Sequence, residues 1–405
     1  MRMGLEIVAR AGTVVVAAAV WLLCAWLLAR TTVPSVDLSG VDVHTLLPAR
    51  ELARAHRYTR GTELLWVGGE LAQLAALTLL AWRLPRAARG IGLGRLGSGV
   101  IMGMVVLSTL WAVSLPFSVA GLWWQHHWGL GPFDVGSWLA AQWGSLGALA
   151  ISALATIAVG VGFSIRFRER WWIPASAVFV AIAALFALTS GWLATAGATP
   201  VRDPQLRRDV ARIEALEHVG GTPVEVQKVS SFTNQVNAYT VGFGPSTHVL
   251  LWDTLLDGRL TRRELDVVVA HELGHVRSRH ILKSIGWSAL VSPLAAVLVM
   301  LALRRRGGLR NPANVPAAAL VLAVLSLAAT PLENLVSRRY EAEADWRALN
   351  ATRDPAAAKA LFKSFARTSL DDPSPPLWDY VMLENHPTLA QRFALAERWR
   401  TRNAP

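Results

Sequence analysis

Two histidines four residues apart, with a glutamate beside the first, are the residues of this chain best suited to chemistry. His271, Glu272 and His275 stand in the pattern H-E-x-x-H. On an α-helix, positions i and i+4 lie about 40° apart around the axis, so both imidazoles leave one face and can grip one cation. Glu272 stays near that face, within reach of a water on the metal. Two nitrogen ligands, a carboxylate base and an open coordination position are what zinc-assisted hydrolysis requires.

The flanking residues describe a buried helix. Val267–Ala270 and Leu273 are apolar, and burying His-Glu-His among them is costly unless the three have a use. Upstream, Thr261-Arg-Arg-Glu264 is a capping box, which predicts a helix starting there and running through the motif. Arg277 departs from the longer zinc-peptidase pattern, which prefers an apolar residue there, without touching a ligand.

Zinc needs a third protein ligand. The single cysteine, Cys24, lies far away in an apolar run, and Ser278 and Ile281 occupy the positions where an elongated pattern needs glycine and histidine. His280 falls nine residues after His271, on the far side of a continuous helix, and is set aside as a ligand. The segment Ser337–Asp345 offers Glu341 and Asp345, again four apart on one face. One carboxylate can bind the metal while the other accepts the free N–H of a ligand histidine. Glu343 faces elsewhere and is expected to be solvated.

Read together, Asn237–Phe243, His248–Leu255, the H-E-L-G-H motif, Ser337-Arg-x-x-Glu341-x-x-Ala-Asp345 and His386-Pro-x-x-x-x-Arg392 resemble the integral-membrane gluzincin metallopeptidases. That family includes the CAAX prenyl endopeptidases and the bacterial heat-shock membrane protease. The resemblance implies that His271, His275 and Glu341 bind one Zn2+, that Asp345 supports a ligand histidine and that Glu272 is the catalytic base. It further implies that the Asn237-Ala238 strand pairs with substrate backbone and that His386 and Arg392 assist at the scissile carbonyl.

The elements that must position these residues are mostly membrane helices. Of 405 residues, 53% are hydrophobic and 17% charged, and the mean hydropathy is positive. Seven apolar runs read as spans: Ala11–Ala29, Leu64–Trp82, Leu96–Ser118, Trp143–Phe163, Trp172–Ala194, Ser284–Leu303 and Ala313–Leu332. Five precede the zinc motif and two separate it from Glu341, the arrangement of the CAAX prenyl endopeptidases. Tryptophans near several span ends form an interfacial belt. Glu70, inside the second span, is expected either to line a wet cavity or to lie near the interface. His126 and His127, in a tryptophan-rich loop, read as interfacial.

The expected fold is mainly α: a polytopic membrane protein with a small α+β zincin-like module containing a short sheet. Residues 1–197 form a five-span region, and 198–283 the first half of the peptidase module. Residues 284–332 add two spans, and 333–405 the second half of the module. Pro223–Val229, Asn237–Phe243 and His248–Trp252 read as strands. Asp203-Pro204 and Asp354-Pro355 open helices, and Pro387–Arg400 makes a last one.

The formal charge of +12 does not indicate nucleic acid, because the arginines cluster at the ends of apolar runs. Arg83, Arg86, Arg89 and Arg95 share a side with Arg166, Arg168, Arg170, Arg304, Arg305, Arg306, Arg310, Arg2 and Arg10. The positive-inside rule then puts the zinc module outside, whereas family members of known orientation keep it cytosolic. The expected location is a bacterial plasma membrane, with a peptide or membrane-protein substrate and the bilayer as partners. Turnover of damaged membrane proteins, cleavage of prenylated substrates and cutting of one signalling partner are all compatible with the motifs. A non-catalytic sensor or transporter with a structural zinc is the reading from another class.

Overall fold

A computed structural model describes residues 2–34, 38, 41–87 and 92–403; Arg89 lies outside them. The first half of the chain is helical: α1 (Arg2–Ala29), a short α2 (Val43–Leu46), α3 (Ala49–Ala87), α4 (Gly94–His127), α5 (Val135–Phe167) and α6 (Trp172–Ala194). The module then begins with β1 (Thr199–Pro200), α7 (Pro204–Glu217), β2 (Val224–Gln227), β3 (Ala238–Val241), β4 (His248–Trp252) and α8 (Arg262–Arg277). Two long helices, α9 (His280–Leu303) and α10 (Val315–Thr352), precede α11 (Pro355–Thr368), α12 (Leu377–Met382) and α13 (Leu389–Arg402).

The seven expected spans fall on α1, α3, α4, α5, α6, α9 and α10. Among the described residues, six helices are long and apolar enough to cross a membrane, and in α1 the apolar stretch Val15–Ala29 is shorter. α3 packs on α4, α4 on α5, α5 on α6, α6 on α9, α9 on α10 and α10 back on α3, so six helices close a ring. α1 lies against α9. Glu70 is half-buried in α3. His127 stacks on Trp123 and Trp124, with ring centroids 5.5 and 5.7 Å apart.

The spans begin and end differently from their apolar runs. α3 starts at Ala49, well before Leu64, and α9 starts at His280 rather than Ser284. α10 continues unbroken past Leu332 into the residues that carry Glu341 and Asp345. Hydropathy marks where lipid meets a helix, but backbone hydrogen bonding carries the helix on into the module. The boundary at 332/333 therefore lies within one helix.

The four strands order as β1-β2-β4-β3, with β2 and β4 parallel and the other pairs antiparallel. This leaves β3 as an edge strand beside α8. The expected strands shorten to their hydrogen-bonded centres, and β1 and α12 were not expected. Asp203, Thr261, Asp354 and Thr388 cap their helices as side-chain acceptors, and the last helix starts at Leu389 rather than Pro387.

The module's core forms around α8. Val267, Val269, Ala270 and Leu273 are buried with Leu251, Trp346, Leu349, Phe362, Phe393 and Leu395. Each large apolar side chain buried this way contributes about 1.5–3 kcal/mol, so the wall behind the motif offsets the cost of its polar residues. The crossing of α8 and α10 is held to small residues. A Cβ on Gly274 would meet the Ala344 Cα at 3.4 Å, and Ala344 is fully buried. That close approach brings the acidic face of α10 within reach of the histidines.

Candidate active site

His271, His275 and Glu341 converge: one ligand atom from each lies within 4.8 Å of the others. The two Nε2 atoms face each other at 3.1 Å. Glu341 brings Oε2 to 3.2 Å from His271 Nε2 and Oε1 to 3.6 Å from His275 Nε2. The buried Oε2 also faces His386 Nε2 at 3.3 Å, yet makes a well-aligned hydrogen bond with neither ring.

These contacts fit a cation. With the proton of each ring on Nδ1, the two Nε2 lone pairs point at each other and at a carboxylate, an arrangement that a cation relieves, and a buried carboxylate oxygen without a partner is costly. Burial pushes the His271 imidazole down, but hydrogen bonds and charges from Asp345 and Glu341 outweigh it and lift its pKa to about 10. The site therefore favours a positive charge, and three N/O ligands of this kind are what zinc takes in catalytic centres.

His271 is held from behind. Its Nδ1 lies 2.9 Å from Asp345 Oδ1, which fixes the proton on Nδ1 and leaves Nε2 free for a metal. Asp345 is gripped in turn by Arg392, with Nε to Oδ2 at 2.8 Å and Nη2 to Oδ1 at 2.7 Å. Arg392, expected at the scissile carbonyl, is placed here behind His271 and at the wall of the recess beside His386. Its guanidinium is buried against Phe362 and committed to Asp345.

Glu272 is buried, and its carboxylate is held by Thr240 of β3: the hydroxyl lies 2.9 Å from Oε2 and also 2.9 Å from the Glu272 carbonyl oxygen. Sequence reasoning missed Thr240. The signal was period two along the strand, which puts residues 238 and 240 on one face.

The ladder also fixes what the edge of β3 presents. Trp252 N donates to Asn237 O at 3.0 Å. The alternation of an antiparallel pair then turns the N–H and C=O of Ala238 and Thr240 to the open edge. Asn237 is exposed, and its side chain accepts from Ala238 N at 2.9 Å.

His386 stands on the rim of a recess of about 360 Å³ that Asn237, Asp371, Glu384 and Arg392 also line. Half of its side chain is open to that space. Desolvation there pushes its pKa down, with Glu341 opposing and Arg392 reinforcing. The loop before His386 is pinned by Arg338, whose Nη1 donates to Tyr380 O at 2.7 Å and Glu384 O at 2.5 Å.

Glu343 and His280 differ from expectation. Glu343 is 2% exposed rather than solvated. His280 is not on the far side of the motif helix, because that helix ends at Arg277 and Arg279 adopts a left-handed backbone, φ 54°. The turn brings His280 back to His275, with the two Nδ1 atoms 2.8 Å apart. It is a neighbour of the ligand set rather than part of it.

A ring of apolar helices, an edge strand and this ligand cluster define the integral-membrane gluzincin peptidases, and the chain belongs to that family. Residues 200–400 match Peptidase family M48. "Uncharacterized metalloprotease YhfN" of Bacillus subtilis is 30% identical over 217 residues, covering 51% of this chain and 50% of that protein. A "Protease HtpX homolog" of Acidiphilium cryptum is 29% identical over 229 residues, 53% of this chain and 76% of its own. The homolog of Ralstonia pickettii is 33% identical over 165 residues, 40% and 54%. The chain thus spans about half the length of most of these relatives. In fold it is similar to the crystal structure of S. mikatae Ste24p, with TM-score 0.73 and 18% identity over 94% of this chain and 97% of that one.

Proposed function

We propose that the protein is a membrane-embedded zinc metalloendopeptidase that hydrolyses peptide bonds of membrane-associated or lipidated proteins. The observation that carries this reading is the convergence of His271, His275 and Glu341 beside a buried Glu272 held from an edge strand. His271, His275 and Glu341 would hold the zinc, which supplies a Lewis acid that brings the pKa of a water down from about 15.7 towards 7 and polarises a carbonyl.

The chain's own residues do the rest. Ala238 and Thr240 offer main-chain N–H and C=O groups to an extended peptide, which then adds a strand to the sheet. Such pairing reads backbone shape rather than side-chain identity. Asn237 releases the Ala238 N–H by turning its amide. Glu272 takes the proton of the attacking water and carries it to the leaving nitrogen, while Thr240 keeps the carboxylate aimed. His386 faces the same point and would donate from Nε2 to the oxygen that turns negative, while its Nδ1 lies 2.6 Å from Asn385 Oδ1. One such donor is worth about 3 kcal/mol.

Glu272→Gln in the purified protein tests the reading. We expect one zinc per chain, as in the wild type, and a loss of hydrolysis of an unfolded protein by about 100-fold or more. Retained hydrolysis would remove Glu272 from the reaction. Glu341→Ala is expected to lose the metal itself.

A further inference from the structure

We propose that His280 is the positioning residue for the zinc ligand His275, and that the end of the first span completes the metal centre by holding Glu343, the carboxylate that orients His280. The inference rests on the zinc reading above and concerns residues that it leaves without a role.

The proton directions follow from one requirement. If His275 offers Nε2 to zinc, its Nδ1 carries the hydrogen and donates it. The atom it meets, His280 Nδ1 at 2.8 Å, must then accept, so the neutral His280 ring carries its own proton on Nε2. That nitrogen lies 3.1 Å from Glu343 Oε2, an acceptor. Glu343 Oε1 takes two hydrogen bonds from one residue, the Thr32 main-chain N–H at 2.8 Å and hydroxyl at 2.7 Å. Every link from the metal to Thr32 therefore has one allowed polarity.

The segment that ends this relay is tied down separately. Lys283 Nζ donates to Arg30 O at 3.0 Å and lies 3.5 Å from Glu343 Oε2, balancing its charge. Tyr340 stacks on His280, with centroids 4.5 Å apart and planes at 9°, and its hydroxyl donates to Leu28 O at 2.7 Å. Trp287 Nε1 donates to that hydroxyl at 3.1 Å. Residues 28–32, at the end of the apolar stretch of α1 and just past it, thus bond to both side chains that flank the His280 ring.

A pair that merely packs α9 against α10 would not influence the metal; a positioning pair must. Partners of this kind are worth about 10–100-fold in metal affinity. The experiment uses the full chain in lipid nanodiscs and reads zinc affinity by competition with a chelator, together with the absorption spectrum of the cobalt-substituted protein. His280→Phe keeps a ring against Tyr340 and removes both hydrogen bonds. Glu343→Gln places an NH2 against the donors on one side, either His280 with Lys283 or the two of Thr32, and breaks the polarity. Both are expected to weaken zinc about 10–100-fold and to shift the cobalt bands. Thr32→Val should weaken it roughly threefold, as for one lost hydrogen bond, and Thr32→Ser should restore it.

Wild-type zinc affinity and an unchanged cobalt spectrum in both His280→Phe and Glu343→Gln would overturn the inference while leaving the peptidase reading intact. Absence of zinc from the wild type would overturn both. Should either core variant fail to fold, judged by thermal unfolding of the metal-free protein, Thr32→Val decides the matter. It lies outside the metal cluster, and unchanged affinity there would sink the proposal.

Discussion

The two histidines of the motif are alike in sequence and unlike in support. His271 leans on a carboxylate of the module itself, Asp345, which Arg392 of α13 grips with two hydrogen bonds. His275 leans on a second imidazole, His280, at the start of a membrane helix, and behind it stands Glu343, tied to the end of the first span. One histidine is braced by the peptidase core and the other by the junction between core and membrane helices. On the proposed zinc reading the spans are structural parts of the metal site, and not only a container around it.

The largest effect is expected on the core side. Arg392→Leu leaves the buried Asp345 without its counter-charge and with only the His271 N–H as a partner, so it should cost about 3–5 kcal/mol of stability and lower zinc affinity. Denaturant unfolding of the zinc-loaded protein measures it, and a milder loss in the double variant with Asp345→Asn would confirm that the unpaired charge is the cause. If Arg392→Leu were no more damaging than His280→Phe, the two supports would not differ in kind.

Next comes the crossing that serves both histidines. Ala344→Leu overpacks the contact with Gly274 and should cost about 1–3 kcal/mol. Because Glu341 and Asp345 sit on the displaced helix, zinc affinity should fall together with thermal stability. Wild-type affinity in a destabilised variant would show that the ligands tolerate a shifted α10.

Thr240→Val is expected to leave both supports untouched. It removes the hydrogen bond to the Glu272 carboxylate, so kcat should drop about tenfold with zinc content unchanged, as for one bond to a charged group. Loss of metal in this variant would mean that β3 positions the histidines as well as the base.

The smallest effect concerns pH. Burial raises Asp379 and Glu384 to about 7, with Glu63 adding to the first and neighbouring acids to the second. A carboxyl with a raised folded-state pKa binds its proton more tightly folded than unfolded. Its contribution is complete below the ordinary carboxylate range, near pH 4, and is lost as pH rises through about 7. The Tm of the zinc-loaded protein should therefore fall from pH 5 to pH 8, and Glu384→Gln should flatten that slope. A slope unchanged in Glu384→Gln would place the titration elsewhere.

Much was readable along the chain because it depends on local chemistry. The capping box Thr261–Glu264 announced the motif helix, the i, i+4 spacing of His271 with His275 and of Glu341 with Asp345 announced two one-faced pairs, and apolar runs announced the spans. Helical geometry failed where it was carried past a helix end. Counting through Ser278 and Arg279 puts His280 opposite His271, but the left-handed turn at Arg279 starts a new axis. A helical wheel makes Glu343 a surface residue because it knows only its own helix, whereas Thr32, past the end of α1, and His280 of α9 cover the face it occupies. The motif names Arg392, but that its guanidinium meets Asp345 depends on what α13 packs against.

Which residue types could hold a metal and move a proton follows from short-range order: spacing on a helix, a cap, an alternating strand. Which of them face one another, and which are themselves held, follows from contacts across hundreds of residues, such as Thr32 with Glu343. Those contacts arise when buried polar groups must find partners and each helix has only certain neighbours to offer. Local spacing cannot supply that information, because the partner lies on another part of the chain.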